Sequence, residues 1–263
     1  MLPSPCYVLS DTHLGVAPRP VERMVLEFVR HLHGRAGSLL INGDLFDFWF
    51  EWRHVIPRRS FRVLAALADL RESGVPILWI AGNHDCWGGE VLRSDVGVDY
   101  HVGAWTGTLG GWRSRVEHGD GLRPSEDRKY RALRSVLRHP LSVRAFRILH
   151  PDLGTRLASG SSEASRTHRP RDEGEGLRRV AHAQLAADPT LELLILGHSH
   201  VAALERPESA RPGVYANAGS WLGEPTYLEL VPDRISLCRW TGSAEGERLH
   251  SLDRVPQKAL AES

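Results

Sequence analysis

Within the first ninety residues a short apolar run three times stops at a cluster of polar side chains and then gives way to an amphipathic or loop stretch. No other feature of the chain restricts the fold as strongly. Cys6 to Ser10 is a β-type run ending in Asp11-Thr12-His13, after which apolar residues recur at Val21, Met24, Val25, Phe28, Val29 and Leu32, a helical spacing. Ser38 to Ile41 ends at Asn42-Gly43-Asp44, and Phe61 to Leu70 repeats the helical period. Pro76 to Ala81 then runs into Gly82-Asn83-His84-Asp85. Strand, polar loop and helix in this order predict a parallel-leaning sheet covered by helices, with ligand groups gathered at the carboxyl ends of the strands.

From Val98 to His118 the pattern changes to short strands without helices, the last running from Arg113 to His118 and followed by Gly119-Asp120-Gly121. An insertion is expected over residues 122–171, arginine-rich and weakly helical, broken at Pro140 and carrying a Ser/Gly loop at Ser159 to Ser165. Helical spacing returns over Arg178 to Ala187, and the apolar strand Leu191 to Leu196 stops at Gly197-His198-Ser199-His200. Val201 to Leu204, Val214 to Asn217, Tyr227 to Val231 and Ile235 to Trp240 read as strands. The polar tail from Ser243 is expected to fray.

These elements are expected to form one domain over 1–263, since 263 residues at 41% hydrophobic and 25% charged can bury a full core. A net charge of +1 gives no whole-molecule argument for nucleic acid or a membrane, so no nucleic-acid partner is expected and any basic patch must be local. Three separated cysteines, Cys6, Cys86 and Cys238, fit reduced thiols in a cytoplasmic protein. No apolar run approaches the ~20 residues that span a bilayer.

Chemistry-bearing residues stand at five strand ends: Asp11 and His13, Asp44, Asn83 and His84, His118, then His198 and His200. A lone Asp-x-His carries little weight, whereas five such ends converging on one sheet edge do. Nitrogen and oxygen donors without thiolates suit borderline or hard divalent ions. The Asp-x-His and His-x-His spacings are expected to place both side chains on one side of an extended segment. So many donors exceed what one ion needs, which points to two ions sharing a carboxylate.

Asp11-Thr12-His13, Gly43-Asp44, Gly82-Asn83-His84-Asp85, His118-Gly119-Asp120 and Gly197-His198-Ser199-His200 together resemble the five blocks of the calcineurin-like metallophosphoesterases. The resemblance spans residues 11 to 200. It implies a four-layer α/β/β/α sandwich and two divalent metal ions, manganese first and iron, zinc, cobalt or magnesium as alternatives. Asp11, His13 and His200 would hold one ion, Asn83, His118 and His198 the other, and Asp44 would bridge them. A hydroxide bridging the metals would attack phosphorus. His84 would stabilise the transition state or protonate the leaving oxygen, with Asp85 orienting it.

The flanks are similar to a narrower group, the UDP-2,3-diacylglucosamine pyrophosphohydrolases of lipid A synthesis. The similar residues are Gly43-Asp44-Leu45-Phe46-Asp47-Phe48-Trp49-Phe50, His118-Gly119-Asp120-Gly121-Leu122 and Ser161-Ser162-Glu163-Ala164-Ser165-Arg166. That resemblance implies a lipid-nucleotide substrate, UMP and an acylated sugar phosphate as products, a helical lid over 122–171, and contact with the inner face of the cell membrane. Arg123, Asp127, Ser161, Ser165 and Arg166 would be candidate substrate-binding residues. The insertion's arginines would face lipid or diphosphate, and Leu133, Val136, Leu137, Val143, Phe146, Ile148 and Leu149 would line an acyl pocket. The best-known branch has Arg where His84 stands, which points to a histidine-type branch or to a relative with another phosphoester. The other readings are a soluble phosphodiesterase or phosphatase acting on nucleotides or small phosphoesters, and a non-catalytic scaffold of the same fold. Asp47 is expected to cap a following helix or to support Asp44, and Trp49, Phe50 and Trp52 to pack in the core or lid.

Overall fold

The computed structural model describes residues 1–158, 174–210, 212–242 and 246–255. Its first three strands are β1 (Cys6–Leu9), β2 (Ser38–Asn42) and β3 (Ile77–Ile80). They are buried on both faces, and their side chains divide by the two-residue period of a strand. Tyr7, Leu9, Leu39, Ile41, Ile77 and Trp79 point into one core, while Cys6, Val8, Leu40, Leu78 and Ile80 point into another. Near-continuous apolar runs of this kind belong to a parallel sheet covered on both sides.

The first core is closed by helices α1 (Arg19–His31) and α2 (Phe61–Glu72), whose Val25, Phe28, Val29, Val63 and Leu67 are fully buried. Pro20 enters α1 in its first turn, where a missing N–H removes no helical hydrogen bond. The second core lies between two sheets. One has seven strands in the order β12-β11-β10-β1-β2-β3-β4, adding β4 (Asp99–His101), β10 (Thr226–Val231), β11 (Arg234–Arg239) and β12 (Glu247–Asp253). The other has five in the order β5-β6-β7-β9-β8, built from β5 (Trp105–Leu109), β6 (Trp112–Val116), β7 (Leu193–Ile195), β8 (Ala203–Glu205) and β9 (Val214–Asn217). A third core lies between this sheet and α6 (Glu175–Ala187), through Leu177, Ala181 and Leu185 against Leu194, Leu196 and Tyr215. The layers are therefore helix, sheet, sheet, helix, the expected four-layer α/β/β/α sandwich.

The tail departs from expectation. Residues 247–253 do not fray but form β12, pairing antiparallel with β11 at the sheet edge. An edge strand satisfies its backbone on one side with little burial, and β12 is largely exposed, so no hydrophobic alternation marks it. Between β6 and β7 the insertion forms α3 (Arg128–Leu137), α4 (Pro140–Ile148) and a helical segment, α5, at 151–158. Pro140 starts α4 rather than merely breaking a helix.

Candidate metal centre and its rim

β1, β2, β3, β6 and β7 all deliver their carboxyl ends to one edge. The loops there are zipped together: Asp11 N donates to Gly43 O (3.1 Å), His13 N to Asp44 O (3.0 Å) and Leu14 N to Leu45 O (2.9 Å). Gly43 has a φ of 80° and would drive any Cβ into His118 and Gly82, so glycine is required where these loops cross.

Among the described residues, five non-glycine residues have positive φ: Asp11 (52°), His13 (47°), Asp44 (53°), His198 (63°) and His200 (63°). This corrects the expectation of extended segments. The Asp-x-His and His-x-His pairs reach the centre from left-handed backbone, and left-handed non-glycine residues concentrate at functional sites because packing must hold the strain. The pairs also differ: Asp11 and His13 share a cluster with His200, whereas His198 clusters with Asp44 and His118.

Each carboxylate spends one oxygen on the backbone and turns the other inward. Asp11 Oδ2 accepts from His198 N (3.1 Å) and the Ser10 hydroxyl, leaving Oδ1 3.1 Å from His200 Nε2 and 3.9 Å from His13 Nε2. Asp44 Oδ1 accepts from His84 N (2.9 Å), leaving Oδ2 3.2 Å from His118 Nε2 and 3.8 Å from His13 Nε2. The imidazoles are held from behind. His118 Nδ1–H donates to Asn42 O (2.9 Å), and the Asp47 carboxylate lies 3.4 Å from His13 Nδ1. Such outer contacts aim the inner nitrogen of a metal-binding histidine.

The inward atoms Asp11 Oδ1, Asp44 Oδ2, Asn83 Oδ1, His118 Nε2 and His198 Nδ1 are buried without a well-formed hydrogen bond. Orphaned lone pairs on residues that cluster about Asp11 and Asp44 are costly unless cations sit among them, so the residues fit divalent ions. The charges respond accordingly. Burial raises the Asp11 and Asp44 carboxyls, but His200 beside Asp11 and His118 beside Asp44 outweigh it and hold both below the usual range. Burial lowers His198 to about 4, with His118 adding to the effect.

Several expected roles change. Asp85 Oδ1 accepts from Gly82 N (2.7 Å), and its Oδ2 accepts from Leu45 N (2.9 Å) and Trp79 Nε1 (3.2 Å). It staples the loop to the core, and burial foremost, then the Asp44 charge, lifts its carboxyl to about 7. His84 is oriented instead by Asp47, whose carbonyl oxygen lies 2.8 Å from Nδ1. A carbonyl only accepts, so the proton is on Nδ1 and Nε2 faces the centre, 4.0 Å from Asp44 Oδ2. Asp47 caps no helix, since the next helical turn begins at Arg58, and its carboxylate faces His13 and His84.

A groove of about 290 Å³ opens from the rim beneath the insertion, lined by Asp47, Asn83 and His84 at one end and by Phe48, Phe50, Trp87, Leu133, Leu137, Val143, Phe146 and Leu157 along its length. Trp49 is fully buried, and Trp52 packs on Phe146 at the groove's edge. Four of the expected acyl-pocket residues line the groove, whereas Val136 and Ile148 turn outward, 61% and 86% exposed. Arg123 and Asp127 do not line it. They form a buried pair with each other, Nη2 to Oδ1 2.7 Å, at the start of α3. Ser161, Ser165 and Arg166 lie outside the described residues.

Two contributors escaped sequence reasoning. Tyr130 lines the groove beside Asn83, and its hydroxyl donates to Asp120 Oδ2 (2.8 Å). The same oxygen accepts from Arg134 and Arg138, both at 3.2 Å, and Arg138 also donates to Gly82 O (3.3 Å). Arg134 in α3 and Arg138 just after it thus latch the insertion to the rim instead of pointing away from it. The signal was available in Asp120 two residues after His118, with Tyr130, Arg134 and Arg138 on one helical face.

The profile of the calcineurin-like phosphoesterases matches residues 4–202. A protein named UDP-2,3-diacylglucosamine hydrolase from Porphyromonas gingivalis is 32% identical over 219 residues, 75% of this chain and 84% of its own. One of the same name from Pectobacterium carotovorum is 25% identical over 238 residues, 87% of this chain and 96% of its own. A dimetal phosphatase from Danio rerio superposes with a TM-score of 0.49 at 14% identity, covering 95% of this chain and 98% of that one. With the profile covering β1, β2, β3, β6 and β7, the chain belongs to the calcineurin-like phosphoesterase family of phosphoester hydrolases.

Proposed function

We propose that this hydrolase cleaves UDP-2,3-diacylglucosamine to UMP and 2,3-diacylglucosamine 1-phosphate. The observation that carries the proposal is the apolar groove meeting the rim at Asn83 and His84. A small water-soluble phosphoester has no use for aromatic and aliphatic walls of that extent, whereas an acyl chain gains about 0.8 kcal/mol for each methylene it buries there. The names of the relatives from P. gingivalis and P. carotovorum support the same substrate.

Asp11, His13 and His200 would hold one cation and Asn83, His118 and His198 the other, with Asp44 shared between them. Manganese is the first choice, and iron, zinc, cobalt and magnesium accept the same donors. Bound there, the two cations supply charge for the phosphate oxygens and a water acidic enough to attack at neutral pH. The chain's own residues do the positioning. Asp47 holds His84 with Nε2 toward the centre, and the doubly protonated ring would donate from Nε2 to the charge developing on the phosphate and the leaving oxygen. Asp85 keeps the Gly82 to His84 loop at that distance. The lid walls exclude water from the groove.

No helix among the described residues is long and apolar enough to cross a membrane. The lid's outer face nevertheless exposes Val136, Leu141 and Ile148, with Arg128, Arg144 and Arg147 exposed around them, a combination suited to peripheral contact with anionic lipid. Such contact would bring the groove to its substrate. The decisive experiment measures UMP release from UDP-2,3-diacylglucosamine beside hydrolysis of an aryl phosphodiester by the manganese-loaded protein. The lipid nucleotide should be preferred by kcat/KM, and turnover of the aryl diester alone would reject the proposal.

A further inference from the structure

A diphosphate substrate has two arms, and the lid groove accounts for one. A second cavity, of about 340 Å³, meets the rim elsewhere: His200, Gly219, Ser220, Leu222, Glu224 and Thr226 are among the residues that line it. It shares no lining residue with the groove. The His13 ring stands between the two, its centroid 4.9 Å from that of His84 on the groove side and 4.8 Å from that of His200 on the cleft side. A phosphate over His13 can therefore send one substituent under the lid and the other over His200.

We propose that the His200 cleft is the subsite for the nucleoside 5′-phosphate arm. This deepens the function proposed above and rests on it, because only a substrate with two arms needs two cavities. In-line displacement sets the attacking water opposite the leaving half of the diphosphate, so the half that stays on phosphorus projects to the side of that axis and needs room of its own, apart from the leaving half. The halves then sort by polarity. The groove walls are aromatic and aliphatic, which suits the acyl chains. The cleft has Leu222, 37% exposed, as its one large exposed apolar surface, together with the Glu224 carboxylate, whose Oε1 pairs with Arg239. Leu222 offers an apolar contact for a base, and a carboxylate accepts hydrogen bonds from a ribose diol.

The cleft is also built rigidly onto the rim. Ser220 Oγ–H donates to the Asp11 carbonyl (2.7 Å), and Leu222 N donates to Ser220 Oγ (3.3 Å). Asn217 Nδ2 reaches Gly197 O (3.1 Å) and Ser199 Oγ (3.0 Å), tying the same wall to the His198 and His200 loop. A nucleotide seated there would keep its phosphate in register with Asp11 and His200 without a loop having to close.

Gly223 provides the test. It is exposed, and an added Cβ meets nothing within 4 Å, so a large side chain can fill the cleft without disturbing the fold. Equilibrium dialysis of radiolabelled UMP and of orthophosphate is measured on the manganese-loaded full chain, on Gly223→Trp and Leu222→Trp, and on the groove-filling Leu137→Trp. The two cleft variants should lose at least tenfold in UMP affinity while binding orthophosphate like the parent, and Leu137→Trp should keep UMP affinity. Unchanged UMP binding in both cleft variants, a parallel loss of orthophosphate in both, or loss of UMP in Leu137→Trp alone overturns the proposal. Because UMP binding is read directly, failure of this proposal is told apart from failure of the parent reading, which shows as absence of lipid-nucleotide turnover.

Discussion

The rim and the lid face each other across one groove and are held by opposite physics. Asp11, His13 and Asp44 are completely buried, and their loops are fastened by backbone hydrogen bonds and by left-handed residues that only dense packing sustains. Helices α3 and α4 bury no residue fully, and α3 is fastened to the rim by the polar knot of Asp120, Tyr130, Arg134 and Arg138. A site that must place charges within tenths of an ångström is built from packed strand ends. The wall over the groove is attached by a few breakable bonds.

The hardest test of that contrast is Asp44→Ala. It removes the carboxylate shared by two of the three ligand clusters and should reduce turnover of every substrate by roughly 10³-fold or more, about 4 kcal/mol of transition-state stabilisation. Metal content by atomic absorption should fall with it. A variant that kept activity would show that the rim is not the reacting centre. Next in size is Asp85→Ala, which strands the Leu45 and Gly82 N–H groups and the Trp79 indole in a buried position. At about 1–3 kcal/mol for each stranded donor, unfolding monitored by circular dichroism should shift down by several degrees or more. An unchanged midpoint would mean that Asp85 is not a staple.

The lid should respond differently. Asp120→Asn weakens the knot without adding volume, so KM for the lipid nucleotide should rise about tenfold. The kcat for an aryl phosphodiester should stay within about twofold of the parent, because the charges at the rim are untouched. Equal losses for both substrates would erase the distinction between lid and rim.

The same contrast explains what could be read from sequence. Val8 against Leu9, and Leu78 against Trp79, alternate between two apolar cores, so strands, sheet parity and layering follow from composition along the chain. The rim donors follow because each sits where an apolar run stops. Their left-handed backbone does not follow, since it is imposed by loops crossing from distant strands, such as Asp11 on Gly43. Arginine at 134 or 138 reads as a solvated or lipid-facing charge until the fold brings Asp120 beneath it. Likewise β12 carries no alternation because an edge strand with exposed faces needs none.

Cys86 tests the contrast most gently. It lies directly after the His84 loop, and burial pushes its thiol up to about 12, against the opposing pull of Arg138. The thiolate is the reactive form, so at pH 8 its alkylation by iodoacetamide should run about three orders of magnitude slower than that of a free thiol. The sign follows from the raised value: each unit of pH below 12 removes tenfold of the thiolate, and the rate should climb with pH throughout the range in which the protein stays folded. Arg138 belongs to the Asp120 knot, so Asp120→Asn should expose the thiol and speed its modification several-fold at constant pH, with the rim's metal content unchanged. Peptide mapping by mass spectrometry separates Cys86 from the buried Cys6 and Cys238. Rapid labelling of Cys86 in the parent protein would mean that the lid spends much of its time unlatched, and the rim alone would then carry the precision of the site.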